Sequence, residues 1–202
     1  MLAAARADER TVPAEDEVRA QHYQLLARFL AAPPDAALLQ LSAGLSGNET
    51  ELGAALGELA RRAGETPVEV ASREYHDLFI GLARGELVPY ASYYLTGFLN
   101  EKPLAKLRVD MSRLGIARAA EVKEPEDHVA ALCEMMAGLI LGWFRPPLDL
   151  VGQRAFFDAH LRAWVGRFFE DLEAAASARL YRPVGTLGRT FVTIEEAAFD
   201  MV

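Results

Sequence analysis

The chain has 202 residues, of which 51% are apolar and 25% charged, and a formal net charge of −8. That length supports a real core, and the composition is that of a globular protein rather than a disordered one. The negative balance argues against a general nucleic-acid binder, whose affinity comes mostly from Lys and Arg on phosphates, and favours a cationic partner.

Cys133 is the only cysteine. An internal disulfide and a zinc–thiolate site are therefore excluded, which suits a reducing cytoplasm. The opening stretch MLAAARADERTVPAEDE lacks the apolar core of a signal peptide. No segment approaches the ~20 apolar residues of a membrane span. The expectation is a soluble, cytoplasmic protein without stable membrane insertion. Residues 1–12 are read as a disordered tail and 13–202 as one all-α domain.

In chain order, Pro13 followed by Glu15, Asp16 and Glu17 opens a helix. Val18, His22, Leu25 and Phe29 recur on one face until Pro33-Pro34 stops it. A short helix is predicted over Ala36–Ala43. Asn48 with Glu51 resembles a capping box for a helix to about Arg62, ending at Gly64. Thr66-Pro67 starts another, with Ala71, Tyr75, Leu78 and Phe79 on a stripe up to Gly81. From Gly81 to Glu101 the period fails, in a segment rich in glycine and aromatics.

Pro103 resumes with Leu104, Leu107, Met111 and Leu114, closed by Gly115. A helix over 125–144 carries Val129, Leu132, Met136, Leu139 and Trp143. One long helix is predicted through Phe157, Leu161, Trp164, Phe168 and Leu172, and a last one near Tyr181–Phe199. No alternating run of Val, Ile and Thr suggests a sheet. The fold class is all-α, a single multi-helix domain.

The stretch EPEDHVAALCEMM at 124–136 poses the sharpest question about chemistry. Pro125 suits a first helical turn, and Glu126 and Asp127 there would lie near the positive end of the helix dipole. His128 has no such explanation. Capping and a binding or metal role both remain open on these residues alone. Phosphate-cradling loops and H-E-x-x-H are absent. The segment Gly185-Thr-Leu-Gly188-Arg-Thr190 echoes a nucleotide loop but lacks its lysine. None of His22, His76, His128 and His160 has a Glu three residues upstream, as a di-iron bundle would need. His160 reads as a core histidine and Met135-Met136 as core packing. Tyr90, Tyr93, Tyr94 and Phe98 fall in the aperiodic segment, where aromatics either join the core or line a binding surface.

Three segments taken together resemble a family. EYHDLF at 74–79, VPYASYY at 88–94 and EPEDHVAALCEMM at 124–136 are similar, in order and spacing, to the signatures of the TorD/DmsD/NarJ-type chaperones of molybdenum enzymes. FFDAHLRAWVGRFF at 156–169 is similar to that family's C-terminal pattern. The resemblance spans about residues 70–195.

It implies an all-helical, non-catalytic chaperone without a cofactor. Such a protein binds the twin-arginine signal peptide, or another N-terminal segment, of a molybdopterin oxidoreductase until its cofactor is inserted. Formate dehydrogenase and dimethyl sulfoxide or trimethylamine oxide reductases are the client types implied, a nitrate reductase is open as well, and a homodimer is an alternative to the monomer. Carried over by residue, the implied surface comprises Leu78, Phe79, Pro89, Tyr90, Ser92, Tyr93, Glu124, Asp127 and His128. Carboxylates would meet the arginines, and an aromatic groove the apolar stretch that follows them. The rival reading is an all-helical metal or haem enzyme using His128 or His160 as ligand. A helical regulator is weaker still, because no basic recognition helix is present.

Overall fold

The structure, a computed structural model, describes residues 12–82, 84–118 and 123–202. The tail expected over residues 1–12 falls outside these, Val12 apart. Among the described residues the chain forms ten α-helices and one π-helical turn, with a single isolated antiparallel bridge between Tyr90 and His128 and no strand. No described helix is long and apolar enough to cross a membrane.

Punctuation residues set most of the boundaries. Helix α1 (Ala14–Ala31) follows Pro13, with Glu15, Asp16 and Glu17 in its first turn. Helix α2 (Ala36–Ala43) is capped by the Asp35 carboxylate, which accepts the Leu38 N–H at 2.7 Å. For α3 (Glu51–Glu65) the cap is Thr50, not Asn48. The Thr50 hydroxyl accepts from Gly53 N–H, and Asn48 in turn holds Thr50. Helix α4 (Val68–Tyr75) follows Pro67 and runs into the π-helical turn His76–Ile80, which ends at Gly81 with φ +63°. A side chain at Gly81 would be strained and would place Cβ 2.1 Å from the Arg84 carbonyl.

The aperiodic segment contains a short helix, α5 (Ala91–Thr96). Helix α6 (Lys102–Leu114) ends on Gly115 in the left-handed region, as its sequence predicts. Helix α7 (Val129–Leu141) is shorter than the span 125–144. Its N-cap is His128, so Pro125, Glu126 and Asp127 precede the helix in a turn. The helix predicted through 157–172 is two, α8 (Leu150–His160) and α9 (Val165–Ala174). The break carries neither glycine nor proline. His160, Leu161, Trp164 and Val165 are all buried at the break, where the Trp164 indole N–H donates to the His160 carbonyl at 2.8 Å. Helix α10 (Tyr181–Asp200) closes the chain.

Helix α7 is apolar almost all round and is the centre of the bundle, packed on α1 and α8. Helix α10 packs on α9, α3 and α1. Gly185 and Gly188 permit the close α9–α10 contact: a Cβ at Gly185 would lie 2.6 Å from Glu173 N, and one at Gly188 2.2 Å from the Phe169 ring. Their spacing is a packing feature and not a nucleotide loop. In α1 the buried set is Tyr23, Leu26, Phe29 and Leu30 with smaller neighbours, whereas Val18 is exposed.

Buried carboxylates fix the bundle in two places. Glu195 takes both Arg19 (2.7 Å) and the Tyr23 hydroxyl (3.0 Å), joining α1 to α10. Glu74 accepts three successive backbone N–H groups, from Arg179 (2.7 Å), Leu180 (3.1 Å) and Tyr181 (2.8 Å). A side chain of α4 thus caps the start of α10, more than a hundred residues away in sequence.

Candidate functional site

The two loop motifs meet at one point. Ala91 N–H donates to the Asp127 carbonyl (3.0 Å), and Val129 N–H donates to the Pro89 carbonyl (2.9 Å), which makes the Tyr90–His128 bridge. The bridge aligns the side chains as well: the Tyr90 and His128 rings lie edge to face, 4.9 Å apart.

His128 Nδ1 accepts the Ala130 N–H at 3.1 Å, so the imidazole itself caps α7 and its proton belongs on Nε2. Burial lowers its pKa to about 4, against the opposing pull of Glu124 and Asp127. The helix N-terminus beneath it also disfavours a charged ring. Histidine at this helix start is thereby explained: it is a neutral cap.

Around this junction opens a groove of about 420 Å³. Helix α7 supplies its floor through Ala130, Ala131, Glu134 and Met135. Tyr75, Phe79 and Ile80 form one wall, with Met111, Ile116 and Arg118 opposite. Pro89, Tyr90, Glu124 and His128 close one end, and Phe144 also lines the cavity, its ring packed over Gly138. The π-helical turn explains why neighbours part company here. Leu78 is buried in the core, while Phe79 is half-exposed against Tyr75 (5.0 Å between centroids) and Ile80 is 54% exposed. Inserted turns of this kind recur at functional sites because they redirect side chains by one position.

Five of the nine residues taken from the motifs line this groove: Phe79, Pro89, Tyr90, Glu124 and His128. Leu78 and Ser92 are fully buried behind it, and Asp127 is 1% exposed. The Asp127 carboxylate does not reach the groove surface. Its Oδ2 accepts the Ser92 N–H at 2.8 Å and so caps α5. Tyr93 faces elsewhere, with the Arg84 guanidinium over its ring at 5.0 Å and bonded to its hydroxyl.

The groove's charges are unequally matched. Burial works against the Glu126 carboxylate, but the Arg108 guanidinium at 2.9 Å, with Arg118 at 3.8 Å, brings its pKa below the ordinary carboxylate range. The Tyr90 hydroxyl donates to Glu124. Burial and that bond raise the phenol's pKa. Met111, Ile116 and Phe144 lie outside the three motif segments, and Ala130, Ala131 and Glu134 lie inside the 124–136 segment but are not among the residues carried over from it. One feature could have singled out Glu134, as the lone charged residue in the otherwise apolar α7.

Among the described residues, no three His, Cys, Asp or Glu side chains gather to hold a metal. His160 Nε2 is engaged by Asp110 (3.0 Å), and Cys133 is buried with its pKa pushed up to about 12 by that burial. A larger hollow of about 610 Å³ near Val12, Arg19 and Phe199 contains none of the motif residues.

The fold is an all-helical bundle with a known counterpart. It matches a crystal structure from Archaeoglobus fulgidus, described as a candidate redox enzyme maturation protein, with a TM-score of 0.63 at 20% identity, covering 93% of this chain and 99% of that one. Residues 46–170 match the family described as nitrate reductase delta subunit, and the chain belongs to that family. Among curated relatives, it is 30% identical over 132 residues to the chaperone protein TorD of Aliivibrio fischeri, covering 61% of each chain. It is 28% identical over 193 residues to the chaperone protein TorD of Vibrio cholerae, covering 92% of this chain and 84% of that one. The chain thus spans less than two thirds of the Aliivibrio relative's length.

Proposed function

We propose that this protein is a non-catalytic maturation chaperone. It binds an N-terminal segment of a molybdopterin oxidoreductase, of the twin-arginine signal type, and holds it in the cytoplasm until the cofactor is in place. Formate dehydrogenase and dimethyl sulfoxide or trimethylamine oxide reductases are the client classes that suit such a segment.

One observation carries the reading. The π-helical turn, the Pro89–Tyr90 loop and the Glu124–His128 turn converge on one groove that joins apolar and aromatic walls to carboxylates. A cationic, then apolar, extended segment is the ligand such a surface complements. The relatives' names as TorD chaperones support the same class of activity.

Ala131 lies half-exposed on the groove floor, so Ala131→Leu would fill the groove with little disturbance beneath it. Calorimetric titration of a synthetic twin-arginine signal peptide should give binding to the wild type and none to Ala131→Leu, with both variants melting alike. Equal binding by the filled variant would place the ligand elsewhere.

A further inference from the structure

We infer that Glu134 is the cation-reading residue of the groove, its carboxylate pairing with a guanidinium of the bound segment. This rests on the peptide-binding reading above and adds to it the residue that sets ligand preference.

Among the described residues, the three carboxylates bordering the groove differ in what already occupies them. Glu126 is held by Arg108 and Arg118, and Glu124 takes the Tyr90 hydroxyl. Among the described residues Glu134 has neither a hydrogen bond nor an ion-pair partner. It is the one charge in a helix of 13 residues of which ten are buried, and it opens onto the groove floor beside Ala131 and Met135. Glu134 is exposed, so its carboxylate is open to a ligand entering the groove. The surrounding apolar surface removes part of its water and raises its pKa above the ordinary carboxylate value. A cation arriving with the ligand would favour the charged form.

The neighbouring groups favour guanidinium over ammonium. Phe79 and Tyr90 line the same groove, and a planar guanidinium can stack on aromatic rings while donating a two-pronged bond to a carboxylate. Among the described residues Arg118 is the one Lys or Arg lining the groove, and it lies beside Glu126, itself already held by Arg108. Position also matters. Glu134 lies six residues beyond the His128 cap, about 9 Å along the helix axis, so it meets the ligand away from the end that His128 closes.

The test uses the full chain and two synthetic peptides: one with an Arg-Arg pair ahead of a Leu/Ala stretch, and its twin with both arginines replaced by neutral citrulline. Wild type should prefer the arginine peptide by about tenfold or more, as a charge-assisted pair implies. Glu134→Gln should lose that preference, bind the citrulline peptide as wild type does, and melt at the same or a higher temperature. A Lys-Lys peptide should bind wild type more weakly than the arginine peptide. Glu134→Gln keeping the arginine preference overturns the inference and leaves the peptide-binding reading intact. Wild type binding neither peptide overturns both.

Discussion

Asp127 Oδ2 accepts the backbone N–H of Ser92 at 2.8 Å, across 35 positions of sequence. The acidic residue best placed by its motif to meet an arginine is instead a buried cap that holds the aromatic loop. Asp127→Ala should therefore leave the Ser92 amide unsatisfied and cost about 1–3 kcal/mol of stability. Asp127→Asn, which keeps an acceptor, should cost less and bind peptide nearly as wild type does. Amide exchange at Ser92 is the direct readout. Unchanged protection in the alanine variant would contradict the capping role.

Glu74 makes the analogous contact for α10, with three N–H donors on one buried carboxylate. Glu74→Ala should be among the most damaging substitutions in the chain, at about 3 kcal/mol or more, since each orphaned buried donor carries its own desolvation cost. Denaturant unfolding would show this as a lower midpoint at unchanged slope. A loss below about 1 kcal/mol would mean that water replaces the carboxylate.

Tyr90 and Tyr93 should separate in a binding assay. Tyr90 lines the groove and bonds Glu124, whereas Tyr93 is engaged by Arg84 outside it. Tyr90→Ala should weaken peptide binding by more than about 1 kcal/mol, the usual loss for an anchor residue, and Tyr93→Ala should leave affinity unchanged. Titrations of both variants against the same peptide decide it, and equal losses would argue against the groove as drawn.

Acid should loosen the junction through His128. Its folded pKa is depressed to about 4 from the ordinary histidine value of about 6.5. Between those values the unfolded chain binds the proton and the folded chain resists it, so stability falls as pH drops through that window. Burial lowers the His160 pKa too, despite the opposing bond to Asp110, and contributes with the same sign. His128→Asn keeps a good cap and should flatten part of the slope of melting temperature against pH. An unaltered slope would assign the acid sensitivity to other groups.

Gly188 faces the Phe169 ring and Gly185 the backbone of Glu173. Alanine at either position gains helix propensity yet should still destabilise by about 1–3 kcal/mol, because the added methyl overpacks the α9–α10 contact. Thermal melts would check the sign. A stabilised Gly185→Ala would mean that the two helices can part without loss.

Much of this protein follows from local sequence. Pro13 and Pro67 begin helices, Gly115 ends one in the left-handed region, and the apolar periods mark the bundle as all-α, because these signals act within a few residues of the backbone they control. The three motifs were also visible as strings, and with them the region of the groove. What the string could not decide was which of their side chains face outward. Leu78 and Phe79 are adjacent, and only their neighbours in space decide that one is buried in the core while the other lines the groove. Asp127 and His128 are adjacent, and only the bridge to Tyr90 makes one a buried cap for α5 and the other a groove-lining cap for α7. The break at Leu161–Trp164 lacks any glycine or proline, so no local signal marks it, and the side chains at it are held by tertiary packing. Glu134, an ordinary helical glutamate in sequence, gains its character from the apolar walls of elements far along the chain. Helix ends are set by neighbours in sequence, whereas exposure and the pairing of charge are set by neighbours in space.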